Sequence, residues 1–333
     1  MDNVLVVSDL HKRFGAQQVI DGLSFSVPQG SVFGFIGQNG SGKTTTMKMV
    51  LGLLRPDFGE AIVCGQRVTF GQTKTNRHIG YLPDVPEFYN YMRPREYLRL
   101  CGEITGMQKA DIAKRSDELL ALVGLAGAKK RIGGFSRGMK QRLGIAQALL
   151  NKPDLLICDE PTSALDPVGR KQILDILRQL KGITTVVFST HILSDVERIC
   201  DRVAVLNQGR IALSGTLDEL KARHSADSLV IEFASADDKA HFLRAAGDVN
   251  VVANGKAAAI AAATASGSPS IIGVTSAGSA LSPDADNSIT LHSSDIAQLQ
   301  RSLIEILYRE DILPVKFEVA EPTIENLYME VVR

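Results

Sequence analysis

Residues 37 to 45 read GQNGSGKTT and follow directly on the apolar run VFGFI. Gly37, Gly40 and Gly42 let the backbone turn sharply enough for successive N–H groups to converge on one anion, with Asn39 and Ser41 completing the loop. A helix opening at Lys43 would aim its positive end at the same place. Lys43 can reach the β- and γ-phosphates of a bound nucleotide, Thr44 is placed to ligate magnesium, and Thr45 adds a hydroxyl toward the α-phosphate. Further on, LLICDEP is an apolar strand that closes in two acids. Ligands of open α/β sheets bind at the carboxyl ends of strands, so Asp159 is expected on the metal. Glu160, aimed differently by strand alternation, is expected to polarise an attacking water. The chemistry these residues imply is transfer of a phosphoryl group to water.

A second anion site is legible at residues 135 to 142, FSRGMKQR, which open the helical run LGIAQALL. Ser136 and the amides of Gly138 and Met139 then lie at a helix N-terminus, where a phosphate is stabilised. The first loop already surrounds one side of the nucleotide. A head-to-tail dimer, in which this segment covers the γ-phosphate held by the other copy, satisfies both sites. Two further matches point to guanine nucleotides: NKPD at 151 to 154 and DPVG at 166 to 169. Their order is the reverse of that in GTPases, and NKPD precedes the acidic strand at the end of a helical pattern, so both are read as coincidence.

The elements that must position these groups come next. VFGFI, LLIC, TVVFS and RVAVL are short, β-branched and bounded by turn residues, as strands buried on both faces are. Helical patterns stand between them, which predicts an α/β fold with a parallel-sheet core. Between about 84 and 150 strands are absent, and a helical subdomain is expected there. After Thr216 the pattern changes. LVIEF, VNVVA, SITLHS and LPVKFEVA read as strands, and DDKAHFLRAAG and DIAQLQRSLIEILY as helices, with Ile296, Leu299, Leu303 and Ile306 on one face. The resulting β-α-β-β-α-β order is that of a small ferredoxin-like α+β domain. The expected division is 1–222 and 223–333, with an Ala/Gly/Ser-rich flexible insert over about 254–287.

Bulk properties narrow the function. Lys plus Arg and Asp plus Glu each total 37 of 333 residues, so no global field favours nucleic acid or an anionic bilayer. Cys64, Cys101, Cys158 and Cys200 show none of the paired spacings of metal sites, and a reducing compartment is expected. MDNVLVVSDLHKRFG has no export-signal pattern. The uncharged stretch 257–283 is too rich in small residues, with Pro269 and Pro283, to be expected as a membrane span.

FSRGMKQR, placed between the phosphate loop and the acid pair, resembles the signature motif of ATP-binding cassette (ABC) proteins. The resemblance covers about the first two thirds of the chain and implies a P-loop ATPase that uses ATP and Mg²⁺. Phe14 in KRFG resembles the aromatic that stacks on adenine, Asp166 in SALD resembles the D-loop acid, and His191 in STHIL resembles the switch histidine at the γ-phosphate. Asp84, in IGYLPDVPEFY, stands where glutamine is common and is carried over as a metal contact. Phe135, Arg137 and Met139 depart from the commonest signature, while Ser136 and Gly138 are kept. These departures, with the ending EPTIENLYMEVV, resemble ATPase subunits of the ABC-2-type exporter branch, drug-efflux members included. The resemblance implies a second copy or a homologous ATPase subunit as partner, and separate integral membrane permeases seated in a groove beside residues 84–95. It also implies a peripheral place on the cytoplasmic face of the membrane. A non-transport cassette acting on nucleic acid or the ribosome is the alternative; no long coiled-coil pattern or basic excess supports it, and no nucleic acid is expected as a partner.

Overall fold

A computed structural model of the chain describes residues 2–223, 228–246, 271–275, 287–293, 296–320, 324, 325, 327 and 328. The chain divides into two compact units, Met1–Glu219 with Tyr328–Arg333, and Leu220–Leu327.

The first unit is built on two sheets. In the six-stranded one, β3 (Val32–Ile36), β6 (Ile79–Leu82), β7 (Leu155–Asp159), β8 (Thr185–Thr190) and β9 (Arg202–Asn207) run parallel, and β10 (Arg210–Thr216) closes one edge antiparallel to β9, in the order β10-β9-β3-β8-β7-β6. Every residue of β3, β7 and β8 is buried, which is why VFGFI, LLIC and VVF within them read as apolar runs. The second sheet is antiparallel, with β1 (Asn3–Phe14), β2 (Gln17–Pro28), β4 (Phe58–Val63) and β5 (Gln66–Arg67) in the order β2-β1-β4-β5.

Between the two sheets lies the main core, and α1 (Lys43–Val50) runs through it. Alternation on the strands decides which residues meet there: Phe33 and Phe35 of β3, Leu155 and Ile157 of β7, and Ala204 and Leu206 of β9 face Leu5, Leu10, Ile20 and Leu23 of the antiparallel sheet. Phe25 stacks on Phe33 and Phe35 with centroid distances of 5.8 and 5.2 Å. On the other face of β3, Gly34 lets Val196 and Cys200 approach closely; a Cβ there would lie 2.9 Å from the Cys200 Sγ. That brings α6 (Leu193–Ile199) down on the sheet; α5 (Pro167–Gln179) precedes β8. Between β6 and β7 the chain forms α2 (Pro94–Ile104), α3 (Lys109–Leu122) and α4 (Arg137–Ala148), the helical subdomain expected there.

The boundary between the units falls within α7 (Leu217–Arg223). In the second unit β11 (Ser228–Phe233), α8 (Ala236–Ala245), β12 (Ile271–Thr275), β13 (Ser288–Ser293), α9 (Ile296–Arg309) and β14 (Pro314–Ala320) follow in the β-α-β-β-α-β order. The sheet is antiparallel with order β12-β13-β11-β14, so β13 lies between β11 and β12, as a split βαβ arrangement requires. Leu299, Leu303 and Ile306 of α9 are buried with Leu229, Ile231, Phe233 and Phe242, and Ile296 packs against them. The strand expected at 249–253 lies outside the described residues. Among the described residues the second strand is IIGVT at 271–275, inside the tract read from composition as an insert. Its strand state comes from pairing with β13, which local composition does not report.

Candidate functional site

At the carboxyl end of β3 the chain turns through Gly37–Gly42 into α1. Gly42, at φ 108°, takes a conformation costly for any residue with a Cβ, and one added to Gly37 would come within 2.5 Å of the Ser41 hydroxyl. The turn delivers Lys43, only 5% exposed, to the first turn of the helix. Its ammonium donates to the carbonyls of Gly37 at 2.6 Å and Gln38 at 3.1 Å and lies 3.1 Å from Glu160 Oε1.

The acid pair at the end of β7 separates because the chain changes conformation between its two members. Asp159 is buried as the last strand residue and accepts from the Ser189 hydroxyl at 2.6 Å. Glu160 enters the left-handed region at φ 48°, with its N–H 3.1 Å from both the carbonyl and the hydroxyl oxygen of Ser189. A non-glycine residue held there is strained, and such strain persists where the surroundings over-determine it. Ser189, on β8, therefore sets both acids. Glu160 Oε2 lies 3.0 Å from Nδ1 of His191, so Lys43, Glu160 and His191 form one continuous chain of contacts. Beside Asp159, burial first and the Asp159 charge second push the Tyr81 hydroxyl up to about 12, so it stays protonated.

A cleft of about 360 Å³ collects Asn39, Gly40, Gly42, Lys43, Thr44, Thr45, Asp84, Glu160 and His191, with Val19 and Ser163 completing its lining. Asp84 reaches it from the loop after β6. Its carboxylate accepts from Arg137 at 3.3 Å, and its carbonyl accepts from the fully buried Gln141 at 2.5 Å, tying this loop to α4. The residues fit a magnesium triphosphate on their own geometry. The Ser41 hydroxyl is buried without a hydrogen-bond partner, Glu160 Oε1 is buried with the Lys43 ion pair but no hydrogen bond, Lys43 has two carbonyls and Glu160 around it among the described residues, and the Thr44 side chain is exposed at the cleft. Buried polar atoms left in this state are costly unless a ligand completes them.

Other expected residues stand apart from the cleft lining. Phe14 is 49% exposed at the end of β1, with the Lys12 ammonium 5.6 Å from its ring centroid. Ser136 caps α4 by accepting from the Met139 amide at 3.3 Å, and Asp166 caps α5 by accepting from Gly169 at 3.3 Å, with Pro167 in the first turn. Gly138 has open space where a side chain would be, the Leu165 side chain at 3.9 Å being its nearest neighbour.

Three contributions escaped the sequence reading. Val19 lines the cleft from β2, a strand that went unrecognised. Asp195, 1% exposed, accepts from Thr162 at 2.7 Å and Arg170 at 2.6 Å and so braces the turn after Glu160 against α5 and α6; only its place in STHILSD hinted at it. Tyr328 stands beside Gln38 of the phosphate loop, and burial raises its hydroxyl despite that contact.

Similarity to known proteins agrees with this arrangement. Residues 20–163 match the family model described as ABC transporter. The chain is 43% identical over 225 residues to the ABC transporter ATP-binding protein YxlF of Bacillus subtilis (strain 168), covering 67% of this chain and 75% of that one. It is 40% identical over 227 residues to the bacitracin transport ATP-binding protein BcrA of Bacillus licheniformis, covering 67% and 73%. A solved ATP-binding subunit of an ABC transporter superposes with a TM-score of 0.60 at 34% identity, over 66% of this chain and 93% of that one. With a P-loop, the second acid of the pair and a histidine joined in one cleft, this chain belongs to the ABC transporter family as an ATP-binding, ATP-hydrolysing protein.

Proposed function

We propose that the chain hydrolyses magnesium ATP as one half of a head-to-tail pair, with a second copy or a homologous ATPase subunit, and so drives export through separate ABC-2-type permease subunits on the cytoplasmic face of the membrane. The observation that carries the hydrolytic part is the Lys43–Glu160–His191 chain. Without nucleotide, Lys43 and Glu160 neutralise one another. An entering phosphate takes Lys43 as its partner, and Glu160, still oriented by His191, is left with a free oxygen for a water. Thr44 and Asp159, with Asp84 at the cleft edge, would hold Mg²⁺, which would offset charge on the phosphoryl oxygens. Catalysis by such a site is positioning and charge compensation.

Support for the paired arrangement is that Ser136 and Gly138 head a helix but do not line their own chain's cleft. Phe14, half-exposed at the end of β1, offers a ring face on which a base could stack. For the permeases, Val85, Tyr89 and Tyr91 are 61%, 54% and 64% exposed on the loop between β6 and α2, an apolar surface of the kind partners cover. No helix among the described residues is long and apolar enough to cross a membrane. Export as the direction rests on the ABC-2 resemblance and on relatives such as the bacitracin transport protein.

The test is sedimentation of the Glu160→Gln variant with and without ATP. A dimer that forms only with ATP, and is lost when Ser136→Ala is added, is expected; a monomer at saturating ATP refutes the pairing. Detergent co-purification with a multi-span membrane protein, against ribosomes or DNA, decides between transport and the non-transport alternative.

A further inference from the structure

The hairpin turn joining β4 to β5 consists of Cys64 and Gly65, with φ 49° and 74°. Two positive φ values are what a two-residue turn of the mirrored type needs, and its usual residues are Asn, Asp and Gly. A cysteine there is unexpected. Its thiol does not face solvent alone: Cys64 Sγ, a ring nitrogen of His78 and a carboxylate oxygen of Asp154 lie within 4.8 Å of one another. His78 Nδ1 is 2.7 Å from Asp154 Oδ2. Asp154 is the acid of NKPD, the motif that served no guanine nucleotide, and it immediately precedes β7.

We propose that Cys64, His78 and Asp154 form a binding site for a divalent transition cation of the zinc class, clamping the β4–β5 turn of the antiparallel sheet to the amino-terminal edge of the parallel sheet. The donor set decides the class. One thiolate, one imidazole nitrogen and one carboxylate, with a water to complete a tetrahedron, suit Zn²⁺ and are poor for Mg²⁺ or Ca²⁺, which take oxygen ligands. Zinc–ligand bonds of about 2.0–2.3 Å place ligand atoms roughly 3.3–3.8 Å apart. Closing the set from 4.8 Å therefore takes a shift of about 1 Å, within the reach of the 49% exposed Asp154 side chain.

The surroundings show how the metal-free protein is held. Burial, and then the Asp154 charge, push the Cys64 thiol up to about 11, so the proton stays on sulfur and is shared with Asp154. Arg77 Nε donates to His78 Nε2 at 3.1 Å, and the Gln66 amide nitrogen lies 3.4 Å from the same atom. With Nε2 accepting, the ring proton sits on Nδ1. On metal binding through Nδ1 that proton moves to Nε2, the thiol proton passes to solvent, and the exposed Arg77 swings away. Turning the Gln66 amide then presents its oxygen to Nε2–H, the orienting contact that a ligating imidazole normally has.

Chelator-treated full-length protein is titrated with Co²⁺, followed by Zn²⁺ in competition. One equivalent of Co²⁺ with a thiolate-to-metal charge-transfer absorption is expected, bleached by Zn²⁺. Cys64→Ser removes the band, His78→Gln and Asp154→Asn weaken Zn²⁺ by about ten- to a hundredfold, Arg77→Ala tightens it, and Cys101→Ser leaves it unchanged. ATP turnover of Cys64→Ser, measured with Mg²⁺ in buffer freed of transition metals, matches the parent chain. Absence of the band, its survival in Cys64→Ser, or cobalt bound only at the phosphate cleft overturns the assignment. If Cys64→Ser fails to fold, as judged by far-UV circular dichroism, unchanged Zn²⁺ affinity in His78→Gln does so equally.

Discussion

The two ends of β7 carry different kinds of site. At the carboxyl end, Glu160 meets Lys43 and His191 while Asp159 beside it is held by Ser189, all drawn from compact motifs at the ends of parallel strands. At the amino end, about 17 Å away along the strand, Asp154 meets Cys64 and His78 from a hairpin turn and a short connecting helix. The first site uses buried charges that neutralise each other until a ligand intervenes. The second is half-exposed and held by a hydrogen-bonded imidazole. Where the backbone itself supplies the cradle, as in a glycine loop before a helix, a site is written in consecutive residues. Where only side chains meet, it is not.

Several changes break or sharpen this contrast. Glu160→Gln has the largest expected effect: ATP binding persists while turnover falls by roughly a hundred- to ten-thousandfold, the range for loss of a general base. Single-turnover kinetics beside equilibrium nucleotide binding checks it; unchanged turnover removes Glu160 from the chemistry. Lys43→Ala is expected to weaken ATP binding by about a hundredfold, on the order of one lost charge-assisted hydrogen bond of up to 3 kcal/mol. Fluorescent-nucleotide titration measures this.

Asp166→Ala removes a helix cap and is expected to cost about 1 kcal/mol in chemical denaturation, separately from any loss of activity. Asp166→Asn keeps a capping oxygen and restores the stability, so a turnover defect surviving in it belongs to the paired site. The smallest effect is a pH dependence of stability from Asp57. Its carboxyl is lowered by the Lys12 ammonium and the Arg13 amide. A folded value below the unfolded one gives stability present above the ordinary carboxylate range and lost as pH falls through the folded value. Asp57→Asn should flatten the acid limb of a denaturation series only slightly, because the pair is open to solvent.

The parallel strands were legible because burial on both faces leaves apolar runs such as VFGFI and LLIC. The antiparallel sheet was not. Strand β1 mixes buried and exposed positions, and its pairing with β2 shifts register at several points, which erases a clean alternation. Strand β12 was hidden for a related reason, since IIGVT becomes a strand only by pairing with β13. In the cleft, Lys43, Glu160 and His191 could each be named from motifs, but the bracing by Ser189 and Asp195 depends on neighbouring strands and helices.

Taken alone, the residue order determined the chemistry of the phosphate end, because glycine turns, a helix start and an acidic strand end are local features that each carry their own geometry. It determined the strand and helix order of the small C-terminal unit as well, with β12 excepted. Tertiary structure decided which acid faces Lys43, through the left-handed turn at Glu160, and which residues complete the cleft. It alone placed Cys64, His78 and Asp154 together. The last two are 76 residues apart, and only strand packing brings side chains so distant in sequence to one point.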